Sequence, residues 1–427
     1  MTCGVGGERP VRRQGSPESG ASTSPRGYAE PVYGVPLPDR LSGPSYPTRM
    51  LLVVSLGWAT IQCGRFVLPP LVPAIQSSLG LGSAGIGLAF TAFGLVYAVI
   101  QFPSGTYSDA LGRSTLIVPG FVALVASFVV LGLATTTWLF VAGILLLGVC
   151  KGLYTPPSRA LLGDLFTARR GRALGIYSAG TDLGGVIASA GGVVVLSTAA
   201  LSWRAAFAPL VAVAAIVTVL FVLWNREPIQ RRRVALEPGA TLGRLLATPA
   251  QRNLIVAYSL FFFVVGGIIT FLPELLIEQG IAEPLAAGFY SLLFVVGLVT
   301  KPAAGEISDR FPRLGVSIGT LVLSAVGVVL LLVLGSLPAV AIGTIVTAVG
   351  YKTQFPITDA VIMEAAPKEN RGGDLGAARA LFLGANALGP GFVGIVADQA
   401  SYAMAFWALA GGLLLSAAIL ALQYKRN

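Results

Sequence analysis

From residue 50 onward the chain repeats one unit, an apolar run, a short polar break and another run. Each run is close to the ~20 residues that an α-helix, rising about 1.5 Å per residue, needs to cross ~30 Å of hydrocarbon. Barrel strands would be about half as long and would alternate apolar with polar positions. The runs predict helical spans near 50–74, 84–105, 114–135, 138–161, 173–196 and 204–224, then 253–275, 285–305, 315–335, 338–362, 375–397 and 402–423. Residues 1–49 break the pattern. They are rich in Gly, Pro, Ser and Arg and read as a disordered tail. A transit peptide is the weaker reading, because Glu8, Glu18, Glu30 and Asp39 are acidic.

Composition sharpens this picture by exclusion. Only 11% of the 427 residues are charged and 55% are hydrophobic, whereas soluble domains carry about 25% charge. A water-facing surface cannot be covered with so little, so a soluble enzyme, a disordered chain and a coiled coil are excluded. Gly (53) and Pro (27) follow no G-X-Y period, which excludes collagen. The chain has no histidine, and Cys3, Cys63 and Cys150 are scattered. Histidine-based metal sites and Ser-His-Asp triads are excluded, and no metal or cofactor is expected.

The net charge of +10 lies mostly in short breaks between spans, at Arg113, Arg169 to Arg172, the 225–252 segment, Arg310, Arg313, Lys368 and Arg371. The alternate breaks hold almost none, Arg204 being the main exception. That distribution points to membrane orientation rather than nucleic acid. It predicts a multi-pass plasma-membrane protein with both termini and the 225–252 loop in the cytoplasm.

The segment GTYSDALGR, Gly105 to Arg113, returns as GEISDRFPR, Gly305 to Arg313, at an offset of 200. Each copy follows the second span of its half. The chain therefore reads as two related six-span halves, 50–224 and 253–427, joined by a 225–252 linker. Duplicated halves of this kind are the architecture of secondary transporters. Here the sequence resembles the major facilitator superfamily, whose loop between the second and third spans reads G-x-x-x-D-[RK]-x-G-[RK]. Gly105, Asp109, Gly112 and Arg113 match, and Ala110 departs. Gly305, Asp309, Arg310 and Arg313 match in the second copy, and Pro312 departs. The stretch Tyr154–Arg172, ending LLGDLFTARRGR, is also similar to the family's segment after the fourth span. The resemblance implies an all-α membrane fold of twelve transmembrane helices in two pseudo-symmetric bundles, alternating access, and a latch at Asp109 and Arg113 that breaks when the cytoplasmic side opens. Gly105 is expected to allow close helix packing.

Charges inside the apolar runs are the candidate chemistry. Each costs about 2.5–3.5 kcal/mol at a bilayer centre even on the lenient insertion scale. Arg65, Lys151 and Lys352 lie within spans, and Asp182 lies deep in the fifth. Ser55, Trp58, Gln62 and Arg65 share one helical face, as do Gly148, Lys151, Thr155 and Ser158, and Ser178, Asp182, Gly185 and Ser189. Lys352, Phe355 and Asp359 form a fourth such stripe. In the family the first, fourth, seventh and tenth spans line the central cavity, which implies that Arg65, Lys151 and Lys352 converge there. An excess of cations suits a small organic or inorganic anion, with Gln62, Tyr351 and Asn386 as polar companions. The competing reading is a structural pair between Asp182 and one of the cations, the others reaching toward water. Asp182 is the candidate for proton coupling, and exchange of one anion for another is the alternative. Lys301 is expected at the cytoplasmic end. Asp359, Glu364 and Glu274 are expected to be interface charges.

Prolines 69, 70 and 73 crowd the end of the first span, Leu272-Pro273 echoes Leu68-Pro69, and Pro156 and Pro356 match at an offset of 200. They predict kinks. Gly80, Gly82 and Gly85 form a GxGxxG, but between membrane spans rather than between a strand and a soluble helix, so no dinucleotide site is expected. The competing function is an exporter of drugs or other hydrophobic compounds. That subgroup often carries a Gly-Pro pair in the fifth span, where this chain has Ala188 and Ser189.

Overall fold

A computed structural model of the protein describes residues 45–227, 248–365 and 371–425; for 102, 106, 109, 110, 305, 309, 363, 365 and 371–376 it describes the backbone alone. The helices are α1 (Tyr46–Phe66), α2 (Val72–Leu79), α3 (Ser83–Leu111), α4 (Ser114–Gly132), α5 (Thr137–Leu165), α6 (Arg170–Ser197) and α7 (Phe207–Trp224). They continue as α8 (Pro249–Glu278), α9 (Glu283–Arg310), α10 (Arg313–Val333), α11 (Leu337–Ala365), α12 (Arg371–Gln399) and α13 (Tyr402–Tyr424). No strand occurs among the described residues. Among the described residues, eleven spans are long and apolar enough to cross a membrane, counting α1 and α2 as one. The twelfth expected span, α11, falls outside that set because Lys352, Gln354 and Asp359 dilute its apolar run.

Local chemistry sets the helix ends. Thr136, Thr248 and Ser401 accept hydrogen bonds from the backbone N–H three residues on, capping α5, α8 and α13. Gly80 and Gly280, one repeat apart, close α2 and α8 at φ +66° and +86°, a backbone region that favours glycine. Pro69–Leu71 breaks the first span into α1, a 3-10 turn and α2. Pro273, its echo, lies inside an unbroken α8.

The packing repeats with the sequence. Helix α1 lies against α6 and α7, α3 against α5, and α4 against α5 and α7. Likewise α8 lies against α12 and α13, α9 against α11, and α10 against α11 and α13. The most extensive contacts between the sets are α3 with α12 and α6 with α9, and the turn at Pro69–Leu71 adds smaller ones with α8 and α9. Helices α1 and α8 are the most enclosed, whereas α7 exposes apolar side chains such as Leu223 to the surroundings.

Contacts between the sets concentrate away from the arginine-rich face formed by the α3–α4 and α5–α6 connections. A Cβ on Gly94 would sit 2.6 Å from that of Ala387, so only glycine permits this crossing of α3 and α12. The Gly391 N–H donates to Thr91 Oγ1 at 2.9 Å. At the tip, Asp398 of α12 accepts from the backbone N–H groups of Ser83 (2.8 Å) and Ala84 (2.9 Å), capping α3 from the other set. Tyr402 Oη donates to Ser83 Oγ at 2.7 Å. A Cβ on Gly82 would stand 2.9 Å from Asp398 Oδ2. The GxGxxG is thus a turn that admits this carboxylate.

Asp398→Asn removes the charge from this cap, which at about 1 kcal/mol corresponds to roughly a fivefold shift in population. Spin labels at Ser77→Cys and Gln399→Cys should report a longer distance at this face, and an unchanged distribution would deny Asp398 that hold.

Candidate functional site

A cavity of about 650 Å³ lies between the two sets of helices. Helical periodicity aims its lining: Trp58, Gln62 and Arg65 occupy one face of α1, and Lys151 and Arg159 occupy one face of α5. Asp182 enters from α6, Lys301 from α9, Tyr351, Lys352 and Asp359 from α11, and Arg379 and Asn386 from α12. All six residues expected to meet substrate, Arg65, Gln62, Lys151, Lys352, Tyr351 and Asn386, line this one cavity.

Asp182 sits between two lysines of the opposite set. Lys352 Nζ lies 2.6 Å from its Oδ1, and Lys301 Nζ lies 2.5 Å from its Oδ2. The structural pair foreseen as the competing reading therefore exists, and Lys352 is engaged by protein. Lys301, expected at the cytoplasmic end, is instead a cavity residue, because its four-carbon stem spans from α9 to Asp182.

Arg65 and Lys151 differ. Neither forms an ion pair with a carboxylate among the described residues. The two share the ring of Phe93, with Arg65 Cζ 5.5 Å and Lys151 Nζ 5.7 Å from its centroid. Lys151 also faces Tyr97 at 4.7 Å and Trp58 at 5.6 Å. Arg65 Nη1 and Gln62 Oε1 are buried with no hydrogen-bond partner among the described residues. Asn386 donates its Nδ2 to the Phe262 carbonyl at 2.8 Å, so part of its amide is committed to the fold.

Toward the arginine-rich face, Arg379 grips Asp359, with Nε 3.0 Å from Oδ1 and Nη2 on Oδ2. Arg159 rests 5.9 Å from the ring of Tyr177. Asp359 is thus a cavity group rather than an interface charge. Glu274 is buried in α8, its Oε1 lacking a hydrogen-bond partner among the described residues, and is not an interface charge either. Six cations and two carboxylates line the cavity, leaving it strongly positive.

Arg159 and Arg379 escaped the sequence reading because both sit near span ends, where a basic residue is ordinary. A signal existed. Arg159 continues the stripe of Lys151 and Thr155 at steps of four, and Arg379 stands seven residues before Asn386. The roles of Phe93 and Tyr97 left no signal, since aromatic residues on an apolar helix read as core.

At the repeated motif, Arg113 pairs with Asp164 at 3.1 Å, and Arg313 pairs with Glu364. Both pairs lie at the offset of 200. Gly112 has φ +85°, and Arg310 is exposed. The side chains of Asp109 and Asp309 and the surroundings of Gly305 lie outside the described residues. A Cβ on Gly105 would meet Pro156 at an ordinary 3.8 Å, so this glycine does not enforce close packing as expected.

The family model described as Major Facilitator Superfamily matches residues 54–314 and 254–427. The hexuronate transporter of Bacillus subtilis is 24% identical over 388 residues, 85% of this chain and 90% of that protein. A probable sulfoacetate transporter of Cupriavidus necator is 29% identical over 262 residues, 56% of this chain and 59% of that protein. Multidrug resistance protein 1 of Bacillus subtilis is 28% identical over 185 residues, 42% and 46% of the two chains. Among solved structures, a bacterial homolog to the human lysosomal transporter Spinster, inward-facing and occupied, superposes at a TM-score of 0.73 with 18% identity, covering 90% of this chain and 98% of that one.

Removing the shared carboxylate leaves two lysines facing each other in a low-dielectric site. Asp182→Asn should destabilise the protein on the order of 3 kcal/mol, read as a lower melting temperature in detergent. Adding Lys352→Met should recover part of the loss; no recovery would mean that Asp182 contributes through something other than Lys352.

Proposed function

The chain belongs to the Major Facilitator Superfamily, and on that premise we propose that it is a secondary transporter of a small organic anion working by alternating access. One observation carries the substrate class: Arg65 and Lys151 share the ring of Phe93, with no carboxylate among the described residues to neutralise either. Ring faces offset only about 0.5–2 kcal/mol per cation, less than a charge costs within a bilayer. A carboxylate or sulfonate placed between the two supplies the missing counter-charge, with Arg65 offering a planar fork and Lys151 a point charge.

The walls argue for an organic rather than an inorganic anion. A volume of about 650 Å³ falls in the range of small-molecule sites, and Trp58, Phe66, Phe262 and Phe355 provide apolar surface. The hexuronate and sulfoacetate relatives are named for anions of this kind. The multidrug relative supports the exporter alternative over a shorter stretch. Against it stands the positive excess of the cavity, which repels cationic compounds.

Asp182 offers a route for proton coupling. Protonating it frees Lys301 and Lys352 and makes the cavity more positive, so proton uptake and anion binding reinforce each other. Placing the arginine-rich face in the cytoplasm, with both termini there, follows from the basic loops. With that placement, the contacts across the opposite face support reading this as an inward-open arrangement, in the plasma membrane.

The test is uptake into proteoliposomes of labelled hexuronates, short sulfonates and cationic dyes, with and without a pH gradient. A hexuronate or sulfonate should accumulate. Charge-assisted bonds are worth about 1.5–3 kcal/mol, so Arg65→Gln should weaken its apparent affinity on the order of tenfold to a hundredfold. Accumulation of dyes alone would establish the exporter instead.

A further inference from the structure

Helices α5 and α11 correspond residue for residue at the repeat offset of 200. Pro156 and Pro356 match, and so do the ion pairs Arg113–Asp164 and Arg313–Glu364. Lys151 and Tyr351, also one repeat apart, both line the cavity. Positions 159 and 359 continue this register toward the arginine-rich face, and both line the cavity as well. Matching places in two pseudo-symmetric bundles lie at the same depth on opposite sides of the axis between them. Here one place holds Arg159 and the other Asp359, which are opposite in charge.

Their present partners leave both available. Arg159 forms no ion pair among the described residues and lies over the ring of Tyr177. Asp359 is held by Arg379 of its own set, in a pair whose side chains are 36% and 32% exposed. Water screens a pair that open. Deeper in the cavity, Asp182 already bridges two lysines of the opposite set, so a carboxylate shared between the sets is a device this protein uses.

We propose that Arg159 and Asp359 form the gate at the arginine-rich mouth of the cavity. When the two sets close over that mouth, Asp359 accepts hydrogen bonds from Arg159 while keeping Arg379. Closure excludes water, which strengthens the attraction as it forms. Reopening returns Asp359 to Arg379 alone. The gate rests on the alternating-access reading, but it does not depend on which anion is carried.

The experiment measures closure without substrate. In the full chain with Cys3, Cys63 and Cys150 replaced by Ala, spin labels at Thr167→Cys and Phe311→Cys report the distance across the arginine-rich face. Asp398→Asn, which loosens the opposite face, should bring out a shorter-distance population. Asp359→Arg added to that chain should abolish this population, by setting a further cation against both Arg159 and Arg379. Arg159→Asp added as well should restore it. Persistence of the shorter distance with arginine at both positions would overturn the gate while leaving alternation standing, and so would failure of the charge swap to restore closure. If Asp398→Asn itself produces no shorter distance, alternation and the gate fall together.

Discussion

A charge held within hydrocarbon must be answered by another charge, and the organisation of this protein follows from how few answers it provides. Burying a cation is expensive in lipid, and the cost is bearable only where the side chain faces protein or water. Helices α1, α5, α6, α9, α11 and α12 therefore turn their charged stripes inward, onto one cavity. Two of the lysines are answered by Asp182 and one arginine by Asp359. Among the described residues, Arg65 and Lys151 have only ring faces as partners. That imbalance is what the proposed anionic substrate would answer.

The same constraint gives the two faces of the molecule different characters. Opposite the arginine-rich face, the sets are joined by short, neutral or helix-capping contacts such as Gly94 against Ala387 and Asp398 on the start of α3. These need close backbone approach. On the arginine-rich side, the described contacts are ion pairs within a set, Arg113 with Asp164 and Arg379 with Asp359. Ion pairs near water are individually weak and exchange partners at little cost. The proposed gate draws on this difference, with one face that holds and another that re-pairs.

The repeat at an offset of 200 links these levels. It recurs in Gly80 and Gly280, in Arg113 and Arg313, and in Asp164 and Glu364, all of which shape helix ends or connections. It fails in the cavity, where Lys151 corresponds to Tyr351 and Arg159 to Asp359. The duplicated frame supplies two bundles that can rock, and the divergence of the lining gives the space between them its positive sign.

Helix number, repeat and the presence of cations within apolar runs were legible in the amino-acid order, because each depends on residues close together along the chain. Gln62, Arg65, Lys151, Tyr351, Lys352 and Asn386 were placed in one site for the same reason, as stripes on helices of a resembled architecture. Only the tertiary structure decided which charges answer one another. That Lys301 reaches Asp182, that Arg379 takes Asp359, and that Phe93 serves both Arg65 and Lys151 are contacts between residues distant in sequence, set by how the helices cross. Periodicity says which face a side chain occupies; it carries no information about what the facing helix brings to meet it.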